Sequence, residues 1–582
     1  MVDAVGQRRF GMGGETPKRG NPGRGLVTLL NFVSANHLRA VILLTVCGFL
    51  MFLPGFFNVP PVDRDEARFA QATKQMIETG DYVDIRFQDE VRYKKPVGIY
   101  WLQAATVTIA SKLGLPNAQV RIWLYRVPSL IGAIGAVLLT YWLALAFVSR
   151  RGAILAAGMM CSCILLGVEA RLAKTDAMLL LTTTAAMGAL ARIYLDWQRG
   201  EDPERPDWIN PAIFWTAVAA SILIKGPLIL MLVGLCVGTL IVLDRSAGWL
   251  WRLRPVWGVV WVLVLALPWF VAIVLRSGDR FFAGSLGADM FSKVVTGQES
   301  HGAPPGYYFL LFWLTFWPGS VLAGLAAGPV WRARREPAAQ FLLTWIVPAW
   351  IVFELVMTKL PHYVLPLYPA IAVLIAGVIE QRMLSRRPLL VRGLIWWFLV
   401  PAMLGVGAVS VSIFLIRQPQ FGAWPFLAAA AVLGLVAWWM YDEGRAERSL
   451  LNGFAAAFFL SFGIYGVVLP SLSPLFPSVE LARVLRNVEC RQPLAAAAGY
   501  HEPSLVFMAG TSTALTDAAG AADFLARGTC RFAMIESRQE RQFASRADSN
   551  GLHYAIVSRF EAYNYSQGRW IAMTIFRSDI TP

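Results

Sequence analysis

Charged residues are scarce in this 582-residue chain, where they make up 15% of the sequence while hydrophobic residues make up 56%. A composition so poor in charge excludes an ordinary soluble globular protein and indicates an integral membrane protein. The apolar residues come in long unbroken runs, which indicate membrane helices rather than a barrel of alternating strands. The predicted fold class is therefore mainly α, a polytopic membrane helix bundle.

Cysteine is also sparse, with six residues and no metal-type CxxC pair. Four of the six lie in apolar runs, where cysteine behaves as a small hydrophobic residue. Cys490 and Cys530 lie in the polar C-terminal region instead. A disulfide between them and two separate buried thiols are both compatible with the sequence.

The N-terminal stretch lacks the apolar core and small-residue cleavage site of a signal peptide, and it is rich in glycine and basic residues. We predict that residues 1–37 form a disordered basic cytoplasmic tail. Residues 38–470 are predicted to form the transmembrane domain, including a first outer loop with interfacial helices at 58–120. The polar residues 471–582, in which β-like runs such as 504–508 alternate with helix-like ones, are predicted to form an outer α/β domain.

The formal net charge of +15 does not indicate a nucleic-acid partner, because the cations fall mostly in alternate short loops. This alternation predicts about thirteen spans, with the N-terminus in the cytoplasm and the C-terminus outside. We therefore expect contact with membrane lipids and no nucleic-acid partner.

The first outer loop gathers carboxylates directly beyond the first apolar run. Asp63 and Glu66 have the spacing of a capping box, which predicts a helix that runs to Glu78 and is ended by Gly80. Asp65 has no necessary partner in this arrangement. We therefore predict that Asp65 is catalytic, while Glu66 and the neighbouring Arg68 contact substrate.

A second charged cluster lies at the outer end of a later apolar run and contains Arg171, Lys174 and Asp176, preceded by Glu169. An ordinary interfacial boundary with snorkelling cations is the simpler explanation. An acidic residue at the start of the next apolar helix is nevertheless costly unless it faces protein or water. We predict a catalytic role for Asp176 and substrate contacts for the two cations.

The outer loops carry more cations than the orientation rule predicts for that face. Taken singly, Lys95 or its neighbours could contact lipid headgroups. Together with Lys225, an isolated cation in an apolar hairpin, and Lys359, they indicate an anionic ligand such as a phosphodiester. Tyr93, His301 and His362 complete the candidate substrate-binding set, although a lone histidine is more often structural and no metal-ligand spacing is present.

Three motifs carry a family resemblance. The stretch DEARFAQATKQMIETGDYVDIRF followed by YKKPVGIYW resembles the first outer loop of C-type glycosyltransferases that use polyprenyl-phosphate-linked sugars. HGAPPGYYF, from His301, and TKLPHYVLPLYPA, from Thr358, resemble two further signatures of that group. The chain is most similar to lipid A aminoarabinose transferases and more distantly to protein O-mannosyltransferases.

The resemblance implies an inverting transfer of a sugar from a polyprenyl phosphate donor to an envelope acceptor such as lipid A, lipopolysaccharide core or a related glycan. It implies that Asp65 and Asp176 match the two acidic residues of the family's outer loops, and that Lys95 matches a lysine contacting the donor phosphate. Lys94 stands where relatives often have an acidic residue, which puts a metal site there in doubt. The resemblance implies no definite cofactor, and a divalent cation is compatible with the family.

The expected location is the bacterial inner membrane, with the site and the C-terminal domain facing the periplasm. Three alternatives stay open at this stage: a protein acceptor, a transporter or flippase of lipid-linked saccharides, and a structural membrane subunit. Against transport, the charges lie at one face rather than near the midplane, and no paired repeats with broken helices are evident.

Overall fold

The computed structural model describes most of the chain. The described residues are 24–200, 207–278, 280–283, 302–488, 490 and 492–578. Residues 1–23 of the predicted tail and the candidate His301 lie outside them.

Helices dominate the structure. In chain order the first eleven are α1 (Arg24–Ser34), α2 (His37–Phe52), α3 (Asp65–Thr79), α4 (Gly98–Lys112), α5 (Ile122–Ala144), α6 (Arg150–Ser162), α7 (Ile164–Glu169), α8 (Asp176–Gln198), α9 (Ile209–Lys225), α10 (Leu228–Asp244) and α11 (Pro255–Ser277). The longer helices that follow are Tyr307–Thr315, Ser320–Arg332, Pro337–Leu355, Tyr368–Glu380, Trp396–Ile416, Trp424–Trp439 and Ala446–Ser461.

Eight helices within the described residues are long and apolar enough to cross a membrane. Three of these are α5, α8 and α11, and the other five lie between residues 337 and 471. Four shorter apolar helices, including α2, α9 and α10, accompany them. The mainly helical fold class is confirmed, while the number of about thirteen spans stays a prediction from the hydropathy and charge pattern.

The predicted disorder of the N-terminal tail is wrong for residues 24–34, which form α1. Leu30 and Val33 lie on one face of α1 and are buried against the helix bundle. Burial of this apolar face stabilises the helix. The glycine-rich and basic composition of the tail, on which disorder was predicted, does not show this face.

The first outer loop contains α3, a short hairpin and α4. Helix α3 ends as predicted, because Gly80 adopts the left-handed conformation (φ 71°) and its N–H donates to the carbonyl of Met76. Strands β1 (Arg86–Phe87) and β2 (Glu90–Val91) pair antiparallel between the two helices.

The predicted cap of α3 is wrong. Helix α3 begins at Asp65, and Asp63 does not bond its first turn. The Asp63 carboxylate accepts hydrogen bonds from the backbone N–H of Ser504, at 2.9 Å, and from the hydroxyl of Tyr500, at 3.0 Å. A contact with the C-terminal domain thus replaces the local cap.

The C-terminal region forms a five-stranded sheet of order β4-β3-β5-β7-β6. Its strands are β3 (Leu494–Ala498), β4 (Ala514–Leu515), β5 (Arg531–Glu536), β6 (Tyr554–Asn564) and β7 (Arg569–Ser578). Strands β3, β4 and β5 run parallel, and β7 joins them antiparallel. Its flanking helices are Pro477–Asn487, Pro503–Ala509, Ala518–Ala526 and Glu540–Ser549.

Both faces of this sheet are covered. Ala495 and Ala497 of β3 pack in one apolar cluster, while Ala496 and Ala498 pack in another on the opposite face. Neighbouring residues alternate between the clusters because successive side chains of a strand point to opposite faces. The result is a helix–sheet–helix arrangement, and a disulfide joins Cys490 and Cys530 within it.

One predicted strand of this region is wrong, and two strands, β3 and β4, were missed. Residues 504–508 are helical, because Pro503 occupies the first helical position and Gly510 follows the end of the helix. The strand β3 was not predicted because alanine favours helix over strand. Burial on both faces of a parallel sheet overrides that preference.

Candidate active site

The site is built around the turn between α7 and α8. Lys174 lies in this turn, and its ammonium nitrogen is 3.2 Å from the carboxylate of Glu169 and 3.9 Å from that of Asp176. Asp176 is the first residue of α8, where the helix dipole favours a negative charge. All three side chains are almost completely buried, so the charges must balance one another.

Lys225 reaches the same carboxylate from a neighbouring helix. It is the last residue of α9, and its ammonium bonds Asp176. The next residue, Gly226, has φ 75°, a backbone conformation that ends the helix and that other residues rarely adopt. The ammonium also lies 5.6 Å from the centre of the Tyr363 ring. The lysine is thus held between a carboxylate and an aromatic face.

His362 closes the cluster from a third part of the chain. Its Nδ1 lies 3.6 Å from Glu169 and its Nε2 lies 3.6 Å from Asp176. The imidazole therefore faces both carboxylates. The charge of Lys95, from the first outer loop, also acts on His362.

Asp65 differs from the buried carboxylates because its side chain is exposed at the start of α3. Its charge nevertheless acts on Lys174 and on Tyr100. Of the predicted residues, the structure brings Lys174, Asp176, Lys225 and His362 into contact around Glu169. The charges of Asp65 and Lys95 act on this cluster.

A buried ion pair holds Asp65 beside the α7–α8 turn. Glu66, the next residue, accepts bonds from Arg126 at 2.7 and 2.9 Å, and both side chains are 1% exposed. The same carboxylate accepts from the backbone N–H of Ala173 at 2.9 Å, directly before Lys174. Glu66 therefore joins the first outer loop, α5 and the α7–α8 turn at one point.

Arg126 also supports the chain that leads out of α2. It donates to the carbonyls of Phe56, Val59 and Pro60 at 2.8 to 3.0 Å. Sequence reasoning did not select Arg126. The signal was present, because a lone arginine inside an apolar span is costly and faces a partner.

Several residues predicted to contact substrate bond protein groups in the structure. Glu66 accepts four hydrogen bonds from protein groups and is buried, so it positions the loop. Arg171 is buried, donates to three backbone carbonyls and the hydroxyl of Ser461, and lies over the ring of Tyr465. Both side chains are held within the protein.

Lys359 and Tyr93 are also held by protein groups. Lys359 donates to the carbonyls of Glu354 and Val356 at 2.9 and 2.6 Å, where the helix Pro337–Leu355 ends. Its charge stabilises the negative end of that helix. Tyr93 donates to Asp84 at 2.7 Å and packs in a buried aromatic cluster. Arg68 is partly exposed, one turn along α3 from Asp65.

A divalent cation does not fit the cluster well. Among the described residues, Glu169, Asp176 and His362 offer ligand atoms within 4.8 Å of one another, a donor set known for zinc. Lys174 and Lys225 already bond these carboxylates. A metal ion here would stand beside two ammonium groups in a buried site, where charge repulsion is strong.

An apolar groove lies directly beside the cluster. Its cavity of 190 Å³ is lined by residues next to Lys95 and Lys225 in sequence and by aromatic side chains, namely Pro96, Ile222, Gly226, Pro227, Leu230, Phe270, Phe281 and Phe282. An apolar groove whose lining adjoins two lysines in the chain suits an amphiphile that has an anionic head.

Comparison with known proteins identifies a class of protein that this chain resembles. Residues 42–279 match the model of dolichyl-phosphate-mannose-protein mannosyltransferases. The resemblance to C-type glycosyltransferases that use polyprenyl-phosphate-linked sugars is thereby confirmed, with the relatives described next.

Two relatives carry a more specific name. The chain is 28% identical over 326 residues to an undecaprenyl phosphate-alpha-4-amino-4-deoxy-L-arabinose arabinosyl transferase of Yersinia pestis (strain Pestoides F), covering 54% of each chain. It is 28% identical over 342 residues to the enzyme of that name from Aeromonas salmonicida (strain A449), covering 56% of this chain and 58% of the relative. The chain thus spans about half the length of the curated relatives it matches.

The fold is shared over nearly the whole chain. The apo crystal structure of ArnT from Cupriavidus metallidurans superimposes with a TM-score of 0.69 at 18% identity, covering 95% of this chain and 98% of that one. ArnT from the same organism bound to undecaprenyl phosphate gives a TM-score of 0.68 at 17% identity, covering 94% and 98%.

Proposed function

We propose that this protein transfers a sugar from a polyprenyl phosphate carrier to an envelope glycolipid or glycan, with inversion at the sugar. The observation that carries the proposal is the exposed carboxylate of Asp65, whose charge acts on Lys174 of the buried cluster that also contains Lys225. The relatives named above act with undecaprenyl phosphate sugars, and the ArnT structure with bound undecaprenyl phosphate supports the same kind of donor.

The groove and the cations fit the two parts of such a donor. The apolar groove beside Pro96 and Gly226 accepts the isoprenoid chain. Lys95 and Lys225, next to those residues, meet the phosphate. Cations fixed in a buried site stabilise negative charge as it develops on the leaving phosphate.

The exposed carboxylate of Asp65 acts as the general base. The acceptor hydroxyl oxygen attacks the anomeric carbon from the face opposite the phosphate, and its proton passes to Asp65. The bond from the anomeric carbon to the phosphate oxygen breaks, and its electron pair stays on the phosphate. Asp176 is held by Lys225, Lys174 and His362 and acts by positioning the two lysines.

Two features support a periplasmic site in the inner membrane. The loops at the opposite end of the bundle carry clustered arginines such as Arg150, Arg151, Arg386 and Arg387, as expected for cytoplasmic loops. The Cys490–Cys530 disulfide lies in the domain that packs on the first outer loop. Structural disulfides form in oxidising compartments such as the periplasm.

Two kinds of acceptor are candidates. Lipid A and lipopolysaccharide core are favoured by the relatives named as arabinosyl transferases. A protein acceptor is the second candidate, because residues 42–279 match the protein mannosyltransferase model. Mass spectrometry of lipid A, core and periplasmic glycopeptides from a strain lacking the gene separates these acceptors.

The central test is the variant Asp65→Asn in the purified full-length chain. We expect the rate of sugar transfer from a polyprenyl phosphate donor to fall about 10²- to 10⁴-fold, because the general base is lost. Asp89→Asn, an exposed carboxylate in the same loop, is the matched control. Unchanged transfer by a well-expressed Asp65→Asn protein would show that Asp65 is not the base, and a wild-type protein that transfers no sugar would favour a transporter or a structural role.

A further inference from the structure

The C-terminal domain holds one face of α3 along most of its length. Gln71 donates to the hydroxyl of Thr511 at 2.8 Å, and that hydroxyl donates to Glu78 at 2.6 Å. Between them Lys74, which is 4% exposed, donates to the carbonyl of Phe507 at 3.1 Å. The helix that carries Asp65 is therefore clamped by the segment 500–513, hereafter the clamp segment.

The clamp segment also fixes the start of α3 through Asp63. Asp63 is 9% exposed, and its two carboxylate oxygens accept from Ser504 and Tyr500 of the clamp segment. Its backbone N–H donates to the hydroxyl of Tyr565, on the turn between β6 and β7, at 2.5 Å. Asp63 is thus held from three points of one domain.

Asp63 stands only two residues before Asp65, separated from it by Arg64, whose φ is 68°. A residue other than glycine in this region is strained, and it keeps that conformation only where its neighbours fix it. On one side Asp63 is fixed by the C-terminal domain, and on the other Glu66 is fixed by Arg126. The orientation of Asp65 follows from these two anchors.

We propose that Asp63 is a positioning residue for the transfer reaction, through which Ser504 and Tyr500 of the C-terminal domain set the orientation of Asp65. The proposal rests on the function proposed above. It gives the C-terminal domain a part in the reaction that is independent of acceptor binding. Misplacing a catalytic group by about 1 Å can cost about 10²-fold in rate.

The surroundings of Asp63 make this anchor depend on pH. Burial raises the pKa of Asp63 from 3.8 to about 6, and the nearby charge of Glu502 adds to the rise, while the hydrogen bonds from Ser504 and Tyr500 oppose it. The other titratable group that faces it is Tyr565, on which the charge of Glu66 also acts. A raised pKa means that the docked state binds the proton more tightly than the undocked state does. Docking is therefore strongest below about pH 4 and weakens as the pH rises through about 6.

The kinetic test uses the purified full-length chain in lipid nanodiscs with a polyprenyl phosphate sugar donor. We expect Asp63→Ala to lower kcat about 10- to 100-fold with little change in the KM for the donor, because the base is misplaced while the donor site is intact. Tyr500→Phe removes one of the bonds to Asp63 and should lower kcat by a smaller factor. Asp63→Asn keeps an oxygen acceptor for Ser504 and should restore most of the rate.

A second readout does not depend on activity. Hydrogen exchange at the backbone amides of residues 65–71 should be faster in Asp63→Ala and Tyr500→Phe than in the wild type, since the start of α3 is released. The control is Asp523→Ala, which removes a partly exposed carboxylate bonded to Arg546 in the same domain. The wild-type melting temperature should fall as the pH rises from 4 to 7, and Asp63→Asn should flatten this fall.

The outcomes separate the two proposals. Unchanged kcat and unchanged exchange in both Asp63→Ala and Tyr500→Phe would overturn the positioning role. A raised KM with unchanged kcat would also overturn it, because Asp63 would then act on donor binding. Faster exchange in a protein whose wild type transfers no sugar would leave the clamp in place and refute the proposed function instead.

Discussion

The two ends of the helix bundle both carry ion pairs, but the pairs differ in burial. At the site end, Glu66–Arg126 is 1% exposed on both sides, and Lys225–Asp176 is 9% and 5% exposed. At the opposite end, Arg386–Glu443 is 85% and 24% exposed. Buried pairs cost free energy to desolvate and are retained where their geometry is needed, whereas exposed pairs contribute little. Burial therefore distinguishes the charges that build the candidate site from those that only orient the chain in the membrane.

The largest effect should come from Glu66→Gln. The substitution leaves Arg126 buried opposite a neutral amide, and breaking a buried pair costs about 3–5 kcal/mol of stability. Thermal unfolding of the purified protein measures the loss. Glu90→Gln, which changes an exposed carboxylate in the hairpin of the same loop, should leave the melting temperature unchanged. Equal melting temperatures for both variants would contradict the anchoring role of Glu66.

The next effect should come from Lys225→Met, which keeps an unbranched apolar side chain but removes the ammonium. Asp176 retains Lys174 and His362 as partners, so we expect folding to persist. Loss of one fixed charge at the developing phosphate should lower kcat about 10²- to 10³-fold. Lys112→Met, at the exposed end of α4, is the control for loss of a lysine. A variant that retains wild-type kcat would show that Lys225 does not face the phosphate.

A small effect is expected at the opposite end of the bundle. Arg386→Ala removes an exposed ion pair and should change stability by about 0–1 kcal/mol, with sugar transfer unaffected. Melting temperature and transfer rate are measured together. A large loss of stability there would erase the distinction between the two ends.

The smallest effect should follow from removal of divalent cations. Lys174 and Lys225 already neutralise the buried carboxylates, so we expect dialysis against a chelator to leave the transfer rate unchanged. Activity lost with the chelator and regained on addition of one particular metal would show that a cation displaces these lysines.

Local patterns predicted part of this architecture. The helical class follows from apolar runs, and the helix from Asp65 to Thr79 with its glycine stop follows from the spacing of its residues. Costly charges at the ends of apolar segments pointed to Lys174, Asp176 and Lys225, which the structure places within one cluster. Each of these features is determined by the local sequence, over one apolar run or a few neighbouring residues.

Features that depend on distant partners were not predictable. Asp63 has the spacing of a helix cap, but its partner Ser504 lies 441 residues away. Arg171 and Lys359 carry the same charge as Lys225. Only the fold shows that these two side chains donate hydrogen bonds to backbone carbonyls. A single sequence specifies that a buried cation needs a partner, and it does not specify which acceptor lies nearest.

The bonds that Arg126 donates to the carbonyls of Phe56, Val59 and Pro60 have a practical consequence for protein engineering. They let the chain leave α2 without regular structure, because a side chain supplies the donors that a helix or sheet would otherwise provide. A chimera that exchanges this first loop with that of a relative should therefore import the matching arginine of α5 as well, since the graft would otherwise expose three unpaired acceptors at the edge of the bilayer.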